Sequence, residues 1–172
     1  MDWQQLPAIR GNKGFEYKIS AIHLSSRVKF SRIVSQITSA ELANFLVEAM
    51  KRLPPFYIVF TDNAMSFTMK YAHHSDRQTV FTRTAESFEV MQGLLPKGKP
   101  WYNGFIERSN RTDNDALFHR QEFSCSEERK YYLRLWEMHY NRERPHQSLA
   151  MRCPLDVATE QHPIRTANMA LC

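Results

Sequence analysis

Five consecutive apolar residues, Phe56-Tyr57-Ile58-Val59-Phe60, stand between Pro54-Pro55 and Thr61-Asp62-Asn63. The run has strand length, and both flanks break regular structure. A strand apolar at every position is the pattern of a central strand covered on both faces, and parallel pairing is the usual setting for it. Such a strand needs helices on each side. The sequence supplies one immediately upstream: Thr38 and Glu41 make an S/T-x-x-E capping box, and Ile37 and Leu42 stand at the positions of a hydrophobic staple. Leu42, Phe45, Leu46, Ala49 and Leu53 then recur on one helical face until Pro54-Pro55 stops the helix.

Before that helix, Tyr17 to His23 and Val28 to Val34 are two β-rich stretches separated by Leu24-Ser25-Ser26-Arg27, which predicts a hairpin. Hairpin, helix and buried strand together argue for an α/β domain with functional groups where the buried strand ends. Asp62 sits there. Downstream, 64–76 reads as loop with a helical turn, 81–88 as a short helix, 90–95 as a strand and 96–100 as a basic loop. A mostly polar helix is expected from Asn103 to about Phe118. A last helix, from about Cys125 to Tyr140, should start from a capping box at Ser124 and Glu127 and turn Tyr132, Leu135, Trp136 and Tyr140 to the core. Arg142 to Pro154 is a basic, His-containing segment, and the remainder to Cys172 has no periodic pattern and is expected to fray.

At 172 residues, 42% hydrophobic and 24% charged, the chain suits one globular domain and excludes disordered and fibrous classes. No apolar run approaches the ~18 residues of a spanning helix, and no charged start leads into an apolar signal core. A cytoplasmic protein without a membrane partner is expected. The formal charge of +5 is compatible with a polyanionic partner. Cys125, Cys153 and Cys172 show no CxxC spacing, so reduced thiols are expected. The adjacent His73 and His74 do not face one way and suit a surface loop better than a metal site. The eight methionines read as core filler.

Asp62 and Glu107 are the residues best able to carry chemistry. Carboxylates so placed can bind Mg²⁺ or Mn²⁺, hard cations that share their coordination with phosphate oxygens, and a pair of such ions can drive phosphoryl transfer. Spacing alone leaves another account open, in which Asp62 caps a turn and Glu107 lies on a solvated helix face.

Three blocks narrow the choice. FYIVFTDNAMSFT, KGKPWYNGFIERSNRT and YNRERPHQSL, in this order, resemble the catalytic core of DDE-type transposases and retroviral integrases, and most of all of bacterial insertion-sequence transposases. The likeness runs from Asp2 to about Val157. It implies an RNase H-like α/β fold with a five-stranded mixed sheet flanked by helices and a C-terminal helix and tail. It divides the chain into a core over 1–157 and an irregular tail over 158–172. It also implies an enzyme that nicks and joins DNA with two divalent ions, Mg²⁺ or Mn²⁺, held by Asp2, Asp62 and Glu107. DNA, both transposon ends and target, would be the partner, and a homo-oligomer the working form, in a bacterial cytoplasm near the nucleoid.

In the same resemblance Asp62 matches the second acid and Glu107, 45 residues on, the third. Asp2, in Asp-x-x-x-Leu-Pro, is the residue placed for the first. The strand residues and DNA-binding region usual upstream of that acid in the family do not precede it, so a non-catalytic remnant that folds and binds DNA weakly is the alternative. Ala64 and Glu89 stand where the family commonly has Gly, while His23 reads as structural.

Lys97, Lys99, Arg108 and Arg111 cluster around the expected site and would hold DNA phosphates. Arg111, four residues from Glu107, could equally pair with it. Trp101 and Tyr102 suit packing better than base stacking. Arg142, Arg144 and His146 repeat the family's YN-x-x-RPH signature, and docking the tail on the core is preferred to touching DNA.

Overall fold

The computed structural model describes residues 1–11, 14–70, 77–96 and 103–163. The expected hairpin is present as β2 (Tyr17–Ile22) and β3 (Lys29–Val34), antiparallel with Ala21 opposite Phe30 and Lys18 opposite Ile33. β1 (Asp2–Gln5) joins β2 antiparallel, with Asp2 opposite Ser20. A second ladder pairs β4 (Ile58–Thr61) with β5 (Met91–Leu94), and it is parallel, as the apolar run implied. The five strands thus form two ladders of three and two among the described residues. They meet where the Met1 ammonium donates to the Phe60 carbonyl at 2.7 Å.

Side-chain alternation assigns the two faces of the first ladder. Ile19, Ala21 and Phe30 join the core under α1 (Ser39–Arg52), whose Leu42, Phe45, Leu46 and Ala49 are buried on the expected stripe. Phe30 and Phe45 stack with ring centres 4.9 Å apart. Burial of each such side chain stabilises the fold by about 1.5–3 kcal/mol. Thr38 caps α1 by accepting from Glu41 N at 3.1 Å. The reciprocal half of the capping box is missing, because the Glu41 carboxylate is drawn to Arg32 on β3, 2.7 Å away. α2 (Val80–Ser87) packs on the same side through Phe81 and Ala85.

The opposite face is covered by α3 (Gly104–Asp113), a π-helical turn over Asn114–Phe118, and α4 (Ser126–Arg142). Leu6, Ile9, Ile33, Leu117, Phe118, Phe123 and Leu133 form its apolar cluster. α4 also closes the open edge of β3. Asn141 accepts from Lys29 N at 2.9 Å and donates to Lys29 O at 2.8 Å, and Glu137 accepts from Ser31 N at 2.6 Å. Backbone groups that would otherwise template edge pairing are thereby satisfied.

Several expectations need correcting. β4 is covered on one face only: Val59 and Thr61 are buried, whereas Ile58 and Phe60 remain 46% and 44% exposed. Continuous hydrophobicity marked the strand but could not reveal its bare side, which with Leu24, Leu94 and Phe105 lines an open apolar groove. In α4 the core line is Arg129, Leu133 and Tyr140, while Tyr132 and Leu135 are each 38% exposed. The arginine takes a core position because Glu16 and the Pro7 carbonyl, each 2.8 Å away, answer its guanidinium. No Ser124–Glu127 box forms; Ser124 instead bonds Glu128 through both its N–H and its hydroxyl.

The segment expected to fray holds another helix, α5 (Pro154–Gln161), whose Val157 and Ala158 are buried and which runs through the 157/158 position. Met65, Met91, Met138 and Met151 lie at the surface, so they are not core filler. Of the two residues standing in place of glycine, Glu89 adopts φ 57° at the turn into β5, whereas Ala64 is not left-handed. His73, His74, Lys97, Lys99, Trp101, Tyr102 and Cys172 lie outside the described residues.

Candidate active site

Three elements that are distant in sequence converge at the junction of the two ladders. β1 contributes Asp2 at its first position, the C-terminal end of β4 leads into Asp62, and the exposed side of α3 presents Glu107. Strand ends are where α/β sheets place chemistry, since the backbone there is fixed while the side chains face solvent.

Each strand-end acid is oriented by its own chain. Asp2 accepts from Trp3 N at 2.8 Å, and Asp62 accepts from Ala64 N at 3.0 Å in an Asx turn. Asn63 then ties the turn to β5 by donating to the Leu95 carbonyl at 2.9 Å. From α3, Asn110 reaches Asp2 Oδ2 at 3.4 Å. Glu107 and Asn110 are three residues apart, so they share the helix face turned toward β1.

The charges of Asp62 and Glu107 both reach Asp2. Burial pushes the Asp2 carboxyl above the usual carboxylate range. The Trp3 N–H and the Met1 ammonium pull it down, and the negative charges of Asp62 and Glu107 push it up again. The buried Met1 ammonium is pushed down to about 6 by desolvation, against the pull of Asp2 and Asp62. The site is therefore a locus of negative charge, and its donors are carboxylate oxygens of the kind hard divalent cations select. Among the described residues no three His, Cys, Asp or Glu side chains are gathered closely enough to enclose a metal ion.

Of the expected DNA-contacting residues, Arg108 and Arg111 are exposed on α3, and Arg111 forms no ion pair with Glu107 among the described residues. Sequence reasoning missed two further polar residues of α3. Asn110 is 7% exposed and touches Asp2, and Asp113 is fully buried. Asp113 forms ion pairs with both Lys18 and Lys29 and accepts from Trp136 Nε1 at 2.8 Å. Asn114 extends the row by accepting from Gln4 Nε2 at 2.8 Å. The available signal was the recurrence of Asn110, Asp113 and Asn114 at helical spacing opposite lysines set in apolar strands.

Comparison with known proteins agrees with this architecture. Residues 90–154 match the family model described as the integrase core domain. That span contains Glu107, α3, α4 and the Arg-Pro-His segment, but neither Asp2 nor Asp62. Among solved structures, the catalytic core domain of BIV integrase superposes with a TM-score of 0.62 at 16% identity, covering 95% of this chain and 97% of that one. A chain of the simian T-cell lymphotropic virus intasome in complex with the PP2A regulatory subunit B56 gamma superposes with a TM-score of 0.66 at 15% identity, covering 91% of this chain and 53% of that one. No curated protein matches the sequence. The chain thus shares the RNase H-like fold of retroviral integrase catalytic cores, and its residues 90–154 carry the integrase core sequence pattern.

Proposed function

We propose that this chain is a polynucleotidyl transferase core that nicks DNA and joins DNA strands during transposition or integration. The observation that supports the reading is that the negative charges of Asp62 and Glu107, carried by two other elements, both bear on Asp2. Negative charge gathered about the half-buried Asp2 is costly unless a cation joins it.

Asp2, Asp62 and Glu107 would hold two divalent ions, Mg²⁺ or Mn²⁺, whose contribution when bound is to acidify a water or DNA 3′-hydroxyl and to neutralise the leaving oxygen. The chain's own residues do the positioning. Trp3 N–H and Ala64 N–H fix one oxygen of Asp2 and of Asp62, and Asn110 approaches the second oxygen of Asp2. Arg108 and Arg111, exposed on the helix of Glu107, together with Lys97 and Lys99, would hold the phosphate backbone.

Mn²⁺ binding followed by EPR tests this directly. The wild-type chain should bind. Asp62→Asn and Glu107→Gln should each weaken binding by at least the roughly tenfold to hundredfold that loss of a supporting partner costs. Both should also abolish metal-dependent nicking and strand transfer. Activity that survives either substitution would overturn the reading. The second reading, a non-catalytic remnant that binds DNA by charge, is favoured by one observation: the three acids are not gathered as a ready metal enclosure. It expects no Mn²⁺ binding with DNA binding retained.

A further inference from the structure

The Arg-Pro-His segment after α4 has no part in the site above, yet it builds a second cluster of charge. Tyr140, 3% exposed, is the hub. The Lys29 ammonium lies 4.0 Å from its ring centre and the Arg144 guanidinium 5.7 Å, and the His146 ring meets it edge-on at 4.7 Å. Its hydroxyl lies against Ser109 of α3. Arg27 arrives from the β2–β3 turn with its guanidinium 3.9 Å over the Phe105 ring, also on α3.

The charges in this cluster do not balance. Lys29 is answered by Asp113, but Arg27 and Arg144 form no ion pair among the described residues. Burial and the positive charges of Arg144, Lys29 and Arg27 push the His146 imidazole below its ordinary range, against a hydrogen bond to the Tyr140 carbonyl. Donors are left over as well: Arg27 Nε and Nη1 are buried without a hydrogen-bond partner. Unpaired buried donors are rare in folded proteins and usually mark a missing partner. The backbone also holds Arg27 in place at a cost, since its φ of 63° is a conformation that Gly or Asn adopts more readily.

We infer that Arg27 and Arg144 bind a DNA backbone phosphate, on the flank of α3 that turns away from Glu107. Phe105 and Ser109 share that flank by their i, i+4 spacing, and Glu107 lies roughly half a turn around the helix from them. The Phe105 ring fixes the plane of the Arg27 guanidinium, whose Nη2 is not among those buried atoms, and Arg144 lies beside the Tyr140 ring, so the two present planar N–H groups to a tetrahedral oxyanion, which lysine could not do as specifically. The inference rests on the DNA-processing reading, because it makes the YN-x-x-RPH segment a second hold on the strand that Glu107 would act upon.

The test is binding of a labelled DNA duplex to the full chain in EDTA, across a salt series, so that no metal-dependent step contributes. Arg144→Gln and Arg27→Asn should each weaken binding about threefold to tenfold and lower the slope of log K against log salt by about 1. Arg134→Gln, which removes an equal charge from the exposed face of α4 away from the cluster, should change neither by as much. Asn suits a left-handed position, so Arg27→Asn carries the test even if Arg144→Gln melts early. Wild-type binding that both variants reproduce, or that Arg134→Gln weakens equally, overturns this inference and leaves the proposed function standing. A wild-type chain that binds no duplex at any salt overturns both.

Discussion

The β1–β2–β3 sheet has two faces built on different chemistry. Under α1 the contacts are apolar: Ile19, Ala21 and Phe30 meet Leu42, Phe45, Leu46 and Ala49, and the one prominent ion network, Arg32 with Glu41 and Glu48, lies at the rim. Under α3 and α4 the same strands present Lys18 and Lys29, 0% and 1% exposed, to a single buried carboxylate, Asp113. An apolar face tolerates sliding and repacking, because its contacts are non-directional. A face held by ion pairs and hydrogen bonds fixes register. α3 carries Glu107 and Asn110, so the helix that must be held in register is the one on the polar face.

The largest expected effect breaks this contrast at its centre. Asp113→Ala leaves two buried ammonium groups with no shared anion and should cost about 3–5 kcal/mol in urea unfolding, as removal of one partner from a buried pair generally does. Replacing all three charges by apolar residues of similar size, Lys18→Met, Lys29→Met and Asp113→Leu together, should be near neutral or stabilising. If that triple variant is stable yet binds Mn²⁺ more weakly than wild type, the ion network serves placement of α3 rather than stability. If the triple variant is as unstable as Asp113→Ala, the contrast between the faces as drawn here fails.

Glu137 sharpens the same contrast through pH. Burial raises its pKa from 4.5 to about 7, against the pull of the Ser31 N–H and of Lys29. A carboxyl that holds its proton more tightly folded than unfolded favours the fold below the unfolded value and loses that contribution as pH rises through the folded one. The polar face should therefore weaken between about pH 4.5 and 7, by an amount on the order of 3 kcal/mol. The Met1 ammonium, lowered to about 6, acts in the opposite sense between about 6 and 8, so raw stability curves mix the two. Glu137→Gln isolates the carboxyl, because an amide oxygen can still accept from Ser31. Its stability relative to wild type should rise from pH 4.5 to 7 and then level off. A difference that stays flat across this range would exclude Glu137 as a buried titrating group.

What the sequence disclosed follows the same division. α1 was legible to its ends, since a capping threonine, an apolar stripe and a Pro-Pro stop are local signals. The β2–β3 hairpin, the parallel pairing of β4 and the placing of Asp62 and Glu107 were equally accessible. The polar face was not. Asn110 and Asp113 look like solvated residues of a polar helix until Asp2, Lys18 and Lys29 are placed against them from 84 to 108 positions away. Arg129 could not be read as a core residue without Glu16, 113 positions distant. α5 was passed over because a short helix opening at Pro154 shows little periodicity, and its buried Val157 and Ala158 gain meaning only from the core they join. Apolar burial leaves a periodic trace along the chain, whereas a buried polar contact is defined by a partner that periodicity does not reveal.

The smallest expected effect tests whether backbone strain belongs to one face or both. Glu89, between α2 and β5 on the apolar side, has φ 57°, and Arg27, at the turn that reaches α3, has φ 63°. Glu89 is exposed and is the left-handed residue that ends α2: its N–H bonds the Glu86 carbonyl at 3.0 Å and the Val90 N–H bonds the Ala85 carbonyl at 2.8 Å, the hydrogen bonds of a Schellman turn. Glycine adopts that conformation without a Cβ penalty, so Glu89→Gly should raise stability by about 0.5–1 kcal/mol, read as a small increase in melting temperature. Ala64→Gly should bring no such gain, because Ala64 is not left-handed and the substitution only frees the unfolded chain. If Glu89→Gly stabilises and leaves DNA binding unchanged while Arg27→Asn loses DNA affinity, the two left-handed residues differ in kind. The left-handed backbone at Glu89 then serves only to end α2, and strain at Arg27 holds a guanidinium where the polar face uses it.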